Sequence, residues 1–193
     1  MKREIDIYDP DEVKNPPKKK MNPKTKKRLI YLLCVLIGIG IAFSAIALYD
    51  YIYPGADSPQ EAIAEYEKAA ILYDVENMID YSSEYNKIVL YGNRETSDRL
   101  LESYLNKGYE GNAPQYTEEE IAFKLMSSIE YEKGSKKYEE ALDKYCQKVE
   151  NGRDTVEKIA IVRMIVVKKT SETTRNYIAV KVDGRWYFAY ANV

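Results

Sequence analysis

Histidine is missing from all 193 residues. Its absence removes the commonest general base, the usual zinc ligand and the partner that activates a serine or cysteine nucleophile. No catalytic residue, metal set or cofactor is therefore assigned. Cysteine is scarce, with Cys34 and Cys146 the two present. Charge is missing from one long stretch. Leu29 to Tyr49 (LIYLLCVLIGIGIAFSAIALY) holds no charged residue and is almost wholly apolar.

As a helix rising ~1.5 Å per residue, that run reaches roughly 30 Å, the hydrocarbon thickness of a bilayer. Seven cations stand just before it: Lys18, Lys19, Lys20, Lys24, Lys26, Lys27 and Arg28. Short flanks rich in Lys and Arg stay in the cytoplasm. The expected organisation is a disordered basic cytoplasmic tail over 1–28, a transmembrane helix over 29–52, a linker over 53–57 and an extracytoplasmic domain over 58–193. Cys34 then lies in the span and Cys146 outside it, so the two cannot pair within one chain, and the outer domain must be stable without a disulfide. Tyr49, Tyr51 and Tyr53 suit an interfacial aromatic belt. A cleaved signal peptide is the alternative, with Ala45-Ile46-Ala47 as its site, but the run exceeds the usual core of such signals. Leu33 before Cys34 speaks against a lipoprotein. Gly38/Ala42 and Gly40/Ser44 make a small-xxx-small surface on which a homo-oligomer could form.

Residues 1–28 carry ten Lys plus Arg against five Asp plus Glu, which leaves the remainder acidic by about seven charges. A basic tail beside a bilayer is drawn to anionic lipid at about 1 kcal/mol per cation. Membrane lipid is thus an expected partner, and nucleic acid is not, since the tail lacks interleaved aromatics and the outer domain is acidic.

Beyond the linker the elements announce themselves by caps. Ser58-Pro59-Gln60-Glu61 combines a Ser cap, Pro at the first helical position and Glu in the first turn. Ile63, Tyr66, Ala70 and Tyr73 then recur at helical spacing. Asp74 caps a short helix burying Val75, Met78 and Ile79, and Lys87 to Tyr91 reads as a strand or as the end of that helix. Thr96-Ser97-Asp98 opens a helix bearing Leu100, Leu101, Tyr104 and Leu105, stopped at Gly108. Thr117 to Glu120 forms a capping box, and Ile121, Leu125 and Ile129 at four-residue spacing predict a helix after it. Ser135 caps another, with Tyr138, Ala141, Leu142, Tyr145 and Val149 on one face and Cys146 beside it. From Val156 the pattern turns to strands. Val182-Asp183-Gly184-Arg185 predicts a two-residue hairpin pairing Lys181 with Trp186, Val180 with Tyr187, Ala179 with Phe188 and Tyr177 with Tyr190. One sheet face then carries Tyr177, Trp186, Phe188 and Tyr190, the candidate contacts for a hydrophobic ligand or partner. The other carries Ile178, Val180, Val182, Tyr187 and Ala189. Helices are expected over one face, leaving the other as a pocket or contact surface.

The stretch Ser58 to Ala62 through Tyr66, Ala69, Ala70 and Asp74, together with the terminal Asp183-Gly184-Arg185-Trp186-Tyr187 hairpin, resembles the NTF2-like superfamily, including cystatin-like bacterial lipoprotein domains. The resemblance implies an α+β domain with helices packed on a curved antiparallel sheet. Nineteen tyrosines and frequent Lys and Glu look like a low-GC Gram-positive bacterium. The function expected is a noncatalytic membrane-anchored binding or assembly module with a protein partner in the envelope. Two other classes stay open: an accessory subunit of a conjugation or secretion machine of the VirB8 type, which shares the tail, span and outer-domain layout, and a small-molecule enzyme. The superfamily includes ketosteroid isomerases that pair Asp with Tyr in an apolar cone, so the enzyme reading requires a pocket with a carboxylate beside a tyrosine hydroxyl.

Overall fold

Ser58 opens the first helix, α1 (Pro59–Leu72), its hydroxyl accepting from the Glu61 N–H at 3.4 Å, and Tyr73 ends it in the left-handed conformation. The computed structural model describes residues 27–28, 31–41, 44, 54–169 and 171–192. Met1–Leu48 and Tyr49–Val193 form separate compact units. In the first, residues 31–41 are helical and every one is exposed. Among the described residues no helix is long and apolar enough to cross a membrane. The span expected over 29–52 lies partly outside them, as do most of the 1–28 tail and residue 53 of the linker.

In the second unit, α1 is followed by α2 (Val75–Asp80), α3 (Glu84–Leu90) and α4 (Asp98–Tyr109), then by β1 (Ile121–Glu132), α5 (Lys136–Cys146), a short α6 (Gly152–Thr155), β2 (Val156–Lys168), β3 (Ser171–Val182) and β4 (Arg185–Asn192). The four strands form one antiparallel sheet in sequence order. The architecture is α+β. Lys87 to Leu90 lies in α3, which resolves the strand-or-helix choice in favour of helix. Asp74 caps α2 through the Asn77 N–H at 3.2 Å, and Ser135 caps α5 through the Tyr138 N–H at 3.3 Å.

The helix expected after Thr117 is instead a strand. The capping box is present, but it closes one 3-10 turn, Glu118–Glu120, and the chain then extends as β1. A four-residue spacing is even, so Ile121, Leu125 and Ile129 read from the sequence alone suit a two-residue period as well as a helical one, although the bulge at Met126 turns Ile129 to the other face of the strand. Pairing along the whole of β2 decides the matter, with Ile121 opposite Lys168 and Glu132 opposite Lys158. Ladder hydrogen bonds to β2 outweigh a weak local helix preference.

Three apolar clusters hold the domain. Ala62, Ile63 and Tyr66 of α1 pack on Val162, Met164, Tyr177, Trp186 and Phe188 of the sheet. On the opposite face, Tyr85 of α3 and Tyr138, Ala141, Leu142 and Tyr145 of α5 pack on Ile159, Ile178, Val180 and Tyr190. A helical cluster of Val75, Met78, Ile79, Leu101 and Leu105 completes the core. Full burial of a side chain such as Ile63, Leu101 or Ile159 stabilises by about 1.5–3 kcal/mol. Helices therefore cover both faces of the sheet at its β4 end, correcting the expectation of one covered face.

The hairpin has the predicted form. Asp183 and Gly184 take φ of 50° and 78°, the pair of positive angles that a tight two-residue turn needs. Lys181–Trp186, Val180–Tyr187 and Ala179–Phe188 pair as expected. Tyr177 and Tyr190 do not. A register shift between Ile178 and Ala179 leaves Ala189 as an extra residue, so Tyr190 faces Ile178 and Tyr177 faces Ala191. One inserted residue reverses the face of every residue after it in the strand. Tyr190 accordingly joins the tyrosines of the α5 side, and its hydroxyl donates to the Ala141 carbonyl at 3.2 Å.

Candidate functional site

The four aromatics proposed from the sequence are all buried: Tyr177 at 0 %, Trp186 at 3 %, Phe188 at 5 % and Tyr190 at 8 % exposed. Phe188 stacks on Tyr66 with centroids 4.0 Å apart, and Tyr177 meets Phe188 edge-on at 6.1 Å. These rings lie beneath α1, whereas Tyr190 lies on the other face against Tyr85 at 5.0 Å. The fold divides the four between two cores, so they do not form one contact surface.

A carboxylate does stand near one of these tyrosines. Glu67 of α1 is 8 % exposed, 3.7 Å from the Arg175 guanidinium and close to the Tyr177 hydroxyl. Burial raises its pKa above the usual carboxylate value, while Arg175 and the Tyr177 hydroxyl oppose the rise. Burial, together with the Glu67 charge, also drives the Tyr177 hydroxyl strongly upward. The group sits between helix and sheet and lines no part of the cavity formed where α3, α5 and the sheet meet.

This cavity, of about 370 Å³, opens on the α5 side. Three remote segments build it: Ser82 to Lys87 at the start of α3, the stretch from Tyr145 to Thr155, and the strand ends Val182 and Tyr187, with Pro54 closing one wall. The Tyr187 hydroxyl donates to the Pro54 carbonyl at 2.6 Å and so fixes its ring as a wall. The chain reaches this place because β4 pins its neighbours. Ala56 and Trp186 exchange hydrogen bonds of 2.9 and 2.8 Å, and the Ser83 N–H donates to the Phe188 carbonyl at 2.8 Å. Arg185 clamps the same corner, donating to Asp57 and, at 2.6 Å, to the Gly55 carbonyl.

Polar groups in the cavity differ in how well they are satisfied. Ser82 donates to the Met78 carbonyl at 2.5 Å and accepts from Asn86 at 2.8 Å. Lys87 donates to both Asp98 oxygens at 2.8 and 2.9 Å. Ser83 is 4 % exposed, and its Oγ completes no hydrogen bond. It occupies the N-cap position of α3, where a serine hydroxyl normally accepts a backbone N–H for about 1 kcal/mol, yet makes no such bond. An unsatisfied buried hydroxyl itself costs about 1–3 kcal/mol. Burial raises Tyr145, beside it, to about 12, against the opposing effect of the Ser83 hydroxyl and the Tyr85 backbone. Glu84 is also raised, first by desolvation and then by the charges of Asp98 and Glu95, with Lys87 opposing.

Elsewhere, Asp80, Asp98 and Glu102 gather with Glu76 and Arg99 along a surface cleft, and Asp80 is raised chiefly by desolvation. Among the described residues no group of acids and cysteines could hold a metal ion. Cys146 is half-buried beside the tyrosine cluster, and desolvation raises its thiol. Sequence reasoning misses the cavity; the adjacent pair Ser82-Ser83 between two helices is the available signal. No known family model, curated protein or solved structure matches this chain.

Proposed function

We propose that this chain is a single-pass membrane protein with its N-terminus in the cytoplasm and an extracytoplasmic ligand-binding domain that performs no catalysis. The observation that carries the anchor is the helix over 31–41. Its residues are apolar and all exposed, with Tyr31 at 73 %, Leu36 at 57 % and Ile41 at 65 %. A helix apolar on every side belongs in a protein core or in lipid. The uncharged run from Leu29 to Tyr49 and the cations before it supply the length and orientation. The NTF2-like assignment belongs to the same proposal, supported by an opening helix laid on an antiparallel sheet and by the terminal Asp-Gly hairpin.

The 370 Å³ cavity supports the binding role, since small-ligand sites are concave, mostly apolar and carry a few convergent polar groups. A noncatalytic role fits the same lining. Ser83 Oγ makes no hydrogen bond to a basic group among the described residues, and Lys87 is ion-paired with Asp98. Glu67 and Tyr177 lie in the core and line no part of the cavity; Glu84 and Tyr145 do line it, and no hydrogen bond joins these two among the described residues.

Topology is tested on the full chain expressed in a bacterium, with cysteine placed at Lys20→Cys or Lys136→Cys in a Cys34→Ser, Cys146→Ser background. A membrane-impermeant maleimide applied to intact cells should label position 136 and spare 20. Labelling of position 20, or recovery of the domain in the medium with a new terminus near Asp50, refutes the anchor.

A further inference from the structure

Taking the cavity beside Ser83 as the binding site, we infer that its ligand is a primary ammonium group on a short aliphatic stem, as a lysine side chain carries. Charge gives the first reason. Of the two ionic groups lining the cavity, Lys87 is neutralised by a bidentate bond to Asp98, whereas Glu84 makes no ion pair among the described residues. Desolvation is the main cause that raises the Glu84 carboxyl; Lys87 opposes it, and Asp98 and Glu95 add to the rise. By formal charge Glu84, Asp98 and Glu95 outnumber Lys87 here, and the one cation of the cavity lining is held in an ion pair rather than open to a phosphate or carboxylate.

The rings give the second. Tyrosine faces attract cations within about 6 Å of the ring centre. The tyrosine cluster to which this cavity belongs already does so twice with the protein's own lysines: Lys144 Nζ sits 4.1 Å over Tyr190, and Lys148 Nζ 5.8 Å over Tyr85. Tyr145, stacked on Tyr85 at 5.8 Å, lines the cavity.

The hydroxyl gives the third. Ser83 Oγ is buried and completes no hydrogen bond of ordinary geometry, although it lies near enough to the Tyr145 hydroxyl to oppose its rise, and its lone pairs are open to a donor. A primary ammonium brings three N–H donors, enough for Ser83 Oγ and the Glu84 carboxylate together. A quaternary ammonium brings none, and a purely apolar ligand would leave Ser83 unsatisfied. Val149 and Val182 supply the wall against which a methylene stem packs.

The test uses the full chain in lipid nanodiscs, titrated by NMR with three probes of equal stem: Nα-acetyl-lysine methylamide, its Nε-trimethyl form and Nα-acetyl-norleucine methylamide. The lysine probe should bind roughly tenfold tighter than either of the others, by analogy with desolvated cation–ring and charged hydrogen-bond energies. Glu84→Gln should remove about that factor. Ser83→Ala should weaken the lysine probe severalfold while leaving the norleucine probe unchanged. Glu102→Gln, an exposed acid away from the cavity, should change nothing. Equal binding of lysine and norleucine probes overturns the ammonium inference and leaves the cavity as a binding site, and equal binding of the trimethyl probe overturns its primary character. No binding of any probe at about 50 mM overturns both readings, since that limit corresponds to less than about 2 kcal/mol.

Discussion

Replacing Gly55 by alanine should destabilise the α+β domain by about 2–5 kcal/mol, although Gly55 sits in the segment that leads into the first helix. Two costs add. The backbone there has φ of +96°, in the region that L-residues avoid at about 1–2 kcal/mol. The new Cβ would also stand 2.7 Å from Tyr187 Cε1 and 2.9 Å from the Trp186 carbonyl oxygen. Overpacking of that degree costs about 1–3 kcal/mol. Neither obstacle can move freely, because Tyr187 is tied to the Pro54 carbonyl and the Trp186 carbonyl accepts from Ala56 at the edge of β4. Urea unfolding of the full chain in detergent, followed by tryptophan fluorescence, measures the loss, Trp186 being the one tryptophan and buried beside this corner. Truncating the ring should relieve part of the clash, so Gly55→Ala with Tyr187→Ala should cost about 1–2 kcal/mol less than the sum of the two single changes. The backbone obstacle would remain. A Gly55→Ala loss below about 0.5 kcal/mol, the usual range for a surface change, refutes the close approach, and strict additivity refutes the ring as its cause.

Three other perturbations test separate parts of the fold. Glu67 has its pKa raised from 4.5 by burial, so between that value and the raised one the folded state keeps a proton that the unfolded state has released, and stability should fall as pH rises through this window. Glu67→Gln should flatten that part of the profile; identical slopes in urea midpoints from about pH 4 to 8 for the two proteins would sink the assignment. Tyr138→Phe removes a buried hydroxyl that donates to the Val156 carbonyl at 2.9 Å and should cost about 1–3 kcal/mol, read by the same denaturation. Deleting Ala189 removes the extra residue of the β4 bulge and turns Tyr190 toward the α1 side, so the deletion should either fail to fold or lose the NMR contact between the Tyr85 and Tyr190 rings; a stable protein with that contact intact contradicts the register.

What could be read from the sequence was what short-range chemistry determines. The caps Ser58, Asp74 and Ser135 and the Asp183-Gly184 turn are local hydrogen-bond and φ requirements, and each element begins or turns where they stand. The failures arose where distant segments decide. Ile121, Leu125 and Ile129 suit two periods, and only the presence of β2 selects the strand. The bulge at Ala189 carries no local signature, yet it moves Tyr190 to the other core. The cavity was invisible for the same reason: Ser83, Tyr145 and Tyr187 meet through β4 register and the α5 docking, neither of which a linear pattern encodes. Counting aromatics on a sheet face identified Tyr177, Trp186 and Phe188 correctly as neighbours of one face but could not show that α1 covers them.

The sheet's two edges are treated differently, and the difference bears on how copies of the chain could meet. Ala56 pairs with Trp186, and Tyr81 and Ser83 bond Phe188, so the outer edge of β4 is occupied by the chain itself. Among the described residues β1 has no strand paired on its outer edge, and it bears Leu125, Met126 and Ile129, each 51 % exposed. An edge of that length invites pairing with another chain unless something spoils it. Here two devices do. The register shift between Leu125 and Ser127 puts residues on either side of Met126 out of phase, so two β1 strands set antiparallel about their centre would bring side chains of opposite faces together. Lys124, Glu130 and Glu132 add charge along the same strand, already drawn inward to Glu172 and Lys158. Edge-to-edge association is thus opposed by features of the strand itself.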